Sequence, residues 1–124
     1  MGLQVLLVDD SGVMRKMISR SLRQAGLNID SITEAGNGVE GMTALGGGSF
    51  DIVLCDWNMP EMDGITFLRE ARKSSNVPFV MLTTEGTQDK INEAMNSGAH
   101  AYVTKPFTPE KLGERITVVL AEAA

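Results

Sequence analysis

The sequence predicts a doubly wound α/β sandwich, a five-stranded parallel sheet with helices on both faces. Three observations lead there. Short strand-like segments of four to seven residues, most of them apolar, alternate with segments whose apolar residues recur at helical spacing. Acidic and hydroxyl residues follow the runs, as helix starts require, and glycines follow the helical segments. A chain of 124 residues also suits one compact domain with a single core, spanning 1–124. Strands separated by helices must run parallel, because the crossover returns each strand to the same end of the sheet, with a right-handed turn.

Leu3 to Val8 is the first strand, and Asp9-Asp10-Ser11-Gly12 opens the first helix. In that helix Val13, Met17, Ile18, Leu22 and Ala25 form the expected core stripe. Arg15, Lys16, Arg20 and Arg23 lie off it, and Gly26 stops it. Ile29 to Ala35 is a weaker strand, followed by a short helix from Gly38 to Leu45 and a flexible turn at Gly46-Gly47-Gly48. The third strand is Ile52 to Asp56, and Asp63 caps a helix from Ile65 to Lys73. Phe79 to Thr83 and Thr87 to Ser97 make the fourth pair, with Gly98 as terminator. Ala101 to Thr104 is the last strand. Thr108-Pro109-Glu110 then starts a helix with a cap, a proline in the first turn and an acid suited to the helix dipole. Leu112, Ile116, Val119 and Leu120 are its apolar stripe.

Charge and cysteine usage exclude several classes. Sixteen acidic side chains against eleven basic ones leave a formal charge of -5, which a nucleic-acid backbone would repel. The single cysteine, Cys55, forms no internal disulfide and cannot alone build a zinc site, which fits a cytoplasmic protein. No run is long enough to cross a membrane or serve as a signal-peptide core.

In doubly wound sheets ligands sit outside the carboxyl ends of the strands. There the sequence gathers Asp9 and Asp10 after strand one, Asp56 ending strand three, Thr83 and Thr84 ending strand four, and Lys105 after strand five. Capping is the ordinary role for Ser11, Asp63, Thr87 and Thr108, but it explains neither Lys105 nor three converging carboxylates. Three negative charges and one ammonium balance if a divalent cation joins them, and an all-oxygen shallow site suits Mg2+. Cys55 and the lone His100 read as structural, and Met14, Met17, Met81 and Met95 as core.

Val8-Asp9-Asp10-Ser11, Cys55-Asp56-Trp57-Asn58-Met59-Pro60, Met62-Asp63-Gly64, Leu82-Thr83-Thr84-Glu85 and Tyr102-Val103-Thr104-Lys105-Pro106-Phe107 resemble, in order, the receiver domain of bacterial two-component response regulators. The resemblance covers nearly the whole chain and is closest to stand-alone chemotaxis members. It implies the flavodoxin-like strand order 2-1-3-4-5, which periodicity does not choose. It also implies phosphoryl transfer from a histidine kinase to Asp56, with Lys105 neutralising the incoming oxygens. Mg2+ would be held by Asp9 or Asp10, by Asp56 and by the backbone carbonyl of Asn58. Thr83 and Tyr102 would switch on phosphorylation, and Lys90, Tyr102, Lys111 and Arg115 would lie on the surface that a target reads. Thr84 is bulkier than the residue often found there, which is expected to restrict attacking water.

The resemblance thus implies a monomeric cytoplasmic switch that catalyses only its own phosphorylation and dephosphorylation. Its target would be a protein such as the flagellar motor switch, and no output domain is expected. A phosphorelay intermediate is the alternative within the same chemistry. A flavodoxin-type cofactor binder is the alternative of another class, disfavoured because Asp9 and Asp10 would repel a flavin phosphate.

Overall fold

The structure is a computed structural model and describes residues 2–84 and 86–123. Its elements alternate as predicted: β1 (Leu3–Val8), α1 (Gly12–Gln24), β2 (Ile29–Ala35), α2 (Gly38–Gly47), β3 (Ile52–Asp56), α3 (Gly64–Arg72), β4 (Phe79–Thr83), α4 (Gln88–Asn96), β5 (Ala101–Thr104) and α5 (Pro109–Ala123). All strand pairs are parallel, and the order is β2-β1-β3-β4-β5, the flavodoxin-like arrangement. The reversal of strand order falls between β1 and β3, so the crevice opens beside Asp9 and Asp56.

The period-two alternation of side chains divides the core between the two faces of the sheet. Val5 and Leu7, Ile52 and Leu54, Val80 and Leu82, and Ala101 and Val103 pack with Ile18 and Leu22 of α1 and Leu112, Ile116 and Val119 of α5. Leu6 and Val8, Val53 and Cys55, and Phe79 and Met81 face the other way, toward Phe67, Leu68 and Ala71 of α3 and Ala94 of α4. The three inner strands are therefore apolar nearly throughout. Edge strand β2 has only Ala35 fully buried, which is why its sequence signal was weak.

The anticipated caps all form. Ser11, Asp63, Thr87 and Thr108 accept hydrogen bonds from the backbone N–H of Met14, Thr66, Lys90 and Lys111. Gly26 and Gly98, with φ of 82° and 108°, turn the chain after α1 and α4 in the left-handed region that glycine adopts freely. Asn37 caps α2 by accepting from Glu40 N–H, and Glu40 reaches back to Gly36 N–H. The Asn37-x-x-Glu40 spacing would have announced this start.

Three expectations need correction. Val13 and Met17 are 72% and 54% exposed, so they are not core residues. The inner face of α1 is centred on Ile18 and Leu22 with Met14 beside them, and the Val13–Met17 row lies one step round the helix. Met95 is likewise 43% exposed on α4, whereas Met81 is buried as expected. Finally, α2 continues through Gly46 and Gly47, where a flexible turn was predicted; only Gly48 is extended.

Candidate functional site

Three carboxylates converge at the carboxyl end of the sheet because two adjacent, register-matched strands deliver them. Val8 pairs with Cys55, so Asp9 and Asp56, each one residue further on, emerge side by side. One carboxylate oxygen from each of Asp9, Asp10 and Asp56 can be chosen so that all lie within 4.8 Å of one another. Asp9 is buried, Asp56 partly buried and Asp10 exposed, so the cluster is a shallow cup open on Asp10's side.

Lys105 reaches into this cup from the loop after β5, placed there by the pairing of Thr83 with Thr104 and by its own N–H, which donates to Thr83 O at 2.8 Å. Its Nζ lies 3.1 Å from Asp9 Oδ2 and 3.5 Å from Asp56 Oδ1. The ammonium is itself largely buried, 10% exposed, so these contacts are only weakly screened by water. The peptide bond that follows, Lys105–Pro106, is cis. Asp9 Oδ1 accepts from Ser11 N–H at 2.9 Å.

Burial pushes the Asp56 carboxyl above its ordinary range; Lys105 opposes the shift and Asp9 adds to it. Three carboxylates and one ammonium leave a deficit of two positive charges. Cys55 is wholly buried and its thiol pKa is raised well above the usual value, first by burial and then by Asp56, which makes it the inert small residue expected.

The loop after β3 needs glycine. A Cβ on Gly64 would lie 2.3 Å from the Asp56 carbonyl oxygen, while Gly64 N–H donates to Trp57 O at 2.8 Å. The start of α3 is thus pressed directly onto the backbone carrying Asp56. Glu61 holds a positive φ of 65° in the tight turn where Met62 N–H bonds Pro60 O at 2.7 Å.

Thr83 is buried at the end of β4. Tyr102, half-buried on β5, meets Trp57 edge-on with ring centroids 6.5 Å apart. Lys90 places its Nζ over the same indole, 4.6 Å from the centroid. The sequence suggested Trp57 only as a spectroscopic probe. The structure makes it a buried contact between Asp56 and the α4–β5 face, and its position next to Asp56 was the available signal. Lys111 and Arg115 line a groove with Tyr102 on that face, so the four residues expected on one surface do cluster. The positions of Asp9, Asp10, Asp56 and Lys105 are likewise as expected; Asn58 is exposed on the loop beside them. Arg15 was missed: its Nη1 donates to the Asp9 backbone carbonyl and its Nε pairs with Glu34 Oε1 at 2.7 Å.

A doubly wound sheet in this order, with three acids and a lysine at its switch point, defines a class, and the family comparison agrees. The sequence profile described as the response regulator receiver domain matches residues 5–117, so the chain belongs to the receiver domain family. Among curated relatives, it is 37% identical over 122 residues to the chemotaxis protein CheY1 of Helicobacter pylori, covering 95% of this chain and 97% of that one. It is 39% identical over 117 residues to the chemotaxis protein CheY of Pseudomonas aeruginosa, covering 92% and 93%. Among solved structures, the chemotaxis protein CheY4 of Vibrio cholerae superposes with a TM-score of 0.86 at 35% identity over 96% of this chain and 99% of that one. No helix among the described residues is long and apolar enough to cross a membrane.

Proposed function

We propose that this chain is a phosphorylation-activated response regulator of chemotaxis in which Asp56 accepts a phosphoryl group from a histidine kinase in a Mg2+-dependent reaction. The observation that carries the reading is the ammonium of Lys105 within 3.5 Å of both Asp9 and Asp56, with Asp10 completing the acidic cup. In the transfer an Asp56 oxygen attacks phosphorus and the bond from phosphorus to the donor imidazole nitrogen breaks. The imidazole leaves with the electron pair and takes up a proton. Such a reaction demands positioning and charge neutralisation more than covalent chemistry, and Lys105 is placed to meet charge on the incoming oxygens.

The donor set fits Mg2+: hard oxygens only, gathered within 4.8 Å of one another, and one side open for retained waters. Asp9, Asp10, Asp56 and the carbonyl of Asn58 would hold the ion, which would supply the missing positive charge. Phosphorylation replaces one negative charge by about two and adds acceptor oxygens. Thr83 and Tyr102 would respond to that change, and Lys90, Tyr102, Lys111 and Arg115 would present the result to a target such as the flagellar motor switch. The effect on that target is limited to its differential affinity for the two forms. The protein would work in the cytoplasm as a monomer and catalyse only its own phosphorylation and dephosphorylation.

Mass spectrometry after acetyl phosphate treatment tests donor-independent labelling. The wild type should gain one phosphoryl mass in Mg2+ and none in EDTA, while Asp56→Asn should gain none and keep its circular dichroism spectrum. Full labelling of Asp56→Asn would reject the site assignment.

A further inference from the structure

We propose that Arg15 is the positioning residue of the acidic cup: it holds the Asp9–Asp10 peptide from behind so that both carboxylates face a common cation. The inference deepens the Mg2+ reading above and rests on it. Arg15 lies in the first turn of α1, and its backbone N–H donates to Ser11 O at 3.0 Å. Its guanidinium then folds back over the loop. Nη1 donates to the Asp9 backbone carbonyl, and Nε is anchored on Glu34 Oε1 at 2.7 Å, at the end of β2. Its side chain is only 22% exposed, whereas Lys16, Arg20 and Arg23 on the same helix are exposed to solvent.

The remaining polar groups of Asp9 are also held. Its N–H donates to Ala35 O at 3.0 Å, Oδ1 accepts from Ser11 N–H, and Oδ2 accepts from Lys105. Asp10 is exposed, and the plane of the Asp9–Asp10 peptide sets the position of its Cα, from which its side chain starts. The oxygen of that plane is the atom Arg15 grips. Only a guanidinium can engage a carbonyl and a carboxylate through two nitrogens in a fixed fork; a lysine offers one charged point.

Charge alone predicts the opposite role. A cation beside a Mg2+ site repels the ion, so an arginine acting only electrostatically would weaken binding, and its removal would tighten it. Glu34 offsets that charge at 2.7 Å and leaves the geometric contribution to dominate.

The test is Mg2+ titration of metal-free wild type, Arg15→Ala, Arg15→Lys and Arg20→Ala, followed by Trp57 fluorescence and by calorimetry, with thermal melts of each variant. Both Arg15 variants should bind Mg2+ about tenfold more weakly, the order of effect seen when an outer partner of a metal ligand is removed. Arg20→Ala, which takes the same charge from an exposed position on α1, should bind as the wild type does. Tighter or unchanged binding by Arg15→Ala overturns the inference, and wild-type affinity in Arg15→Lys overturns the role of the fork. Should Arg15→Ala melt before titration, Arg15→Lys alone decides. A wild type that gives neither heat nor fluorescence change with Mg2+ defeats the metal reading and this inference together. A responsive wild type with unaltered Arg15→Ala defeats the inference alone.

Discussion

The two ends of the sheet differ in how their charges are met. At the amino end, Arg72 donates to Gly98 O through Nε and Nη2, to Ser75 O through Nη1, and faces His100 Nδ1 at 3.2 Å. Asp51 accepts from Gln4 N–H at 2.7 Å, and the Gln4 amide is shared between Asp30 and Ser31. Each of these groups closes on a neighbour. At the carboxyl end three carboxylates share one ammonium, and the desolvated Asp56 is harder to ionise than an ordinary aspartate. A sheet end becomes a site when its polar groups are left short of partners by a definite charge, and that shortfall specifies the ligand.

Substituting Lys105→Met should sharpen the contrast most. Labelling by acetyl phosphate is expected to fall by about 10²–10³, the usual cost of deleting one donor aimed at developing charge. Mg2+ binding should move the other way, about tenfold tighter, because a competing positive charge is gone. Labelling rate and Mg2+ affinity falling together would mean that Lys105 organises the cup instead of balancing it.

Arg72→Met should act at the other end only. Carbonyls of Gly98 and Ser75 lose their donor, so urea unfolding should show a loss of about 2–4 kcal/mol, while the Mg2+ response of Trp57 stays unchanged. A shift in Mg2+ affinity would show that the two ends are coupled through the sheet.

The smallest effect is a pH slope. His100 Nδ1 accepts from Phe79 N–H at 3.1 Å and faces Arg72, so neither neighbour tolerates a proton there. Burial first, and then Arg72, lower its pKa below the ordinary 6.5, against a weaker opposing pull from Glu122. Between the lowered folded value and 6.5 the unfolded chain binds more protons. This contribution to stability is therefore whole above about pH 6.5 and lost as pH falls toward the folded pKa. Urea unfolding at pH 7.5 and 5.5 should show the drop, and His100→Asn, which keeps an acceptor near Nδ1, should flatten it.

Much of the fold was legible because local chemistry and global need agree. Ser11, Asp63, Thr87 and Thr108 cap where caps were read, and Gly26 and Gly98 turn the chain where they stand. The Asp9, Asp10, Asp56 and Lys105 cluster was legible because each residue occupies the same point of its strand-to-helix repeat. Side-chain direction was less accessible. Met17 was read as core, but it walls a groove of about 330 Å³ beside Phe107, since apolarity on a helix does not say which adjacent row faces inward. Arg15 could not be told from Lys16, Arg20 and Arg23, because its partners Glu34 and Asp9 meet it only once β2 lies next to β1. The stacking of Lys90 over Trp57 depends in the same way on how α4 is set against the sheet.

The complete burial of Cys55 has a practical corollary. With its one sulfhydryl sealed inside, the native molecule should ignore maleimide dyes and nitroxide reagents. A cysteine engineered on α4 or α1 would then be the unique attachment point, and the surroundings of a label placed there could be followed without first deleting the natural thiol.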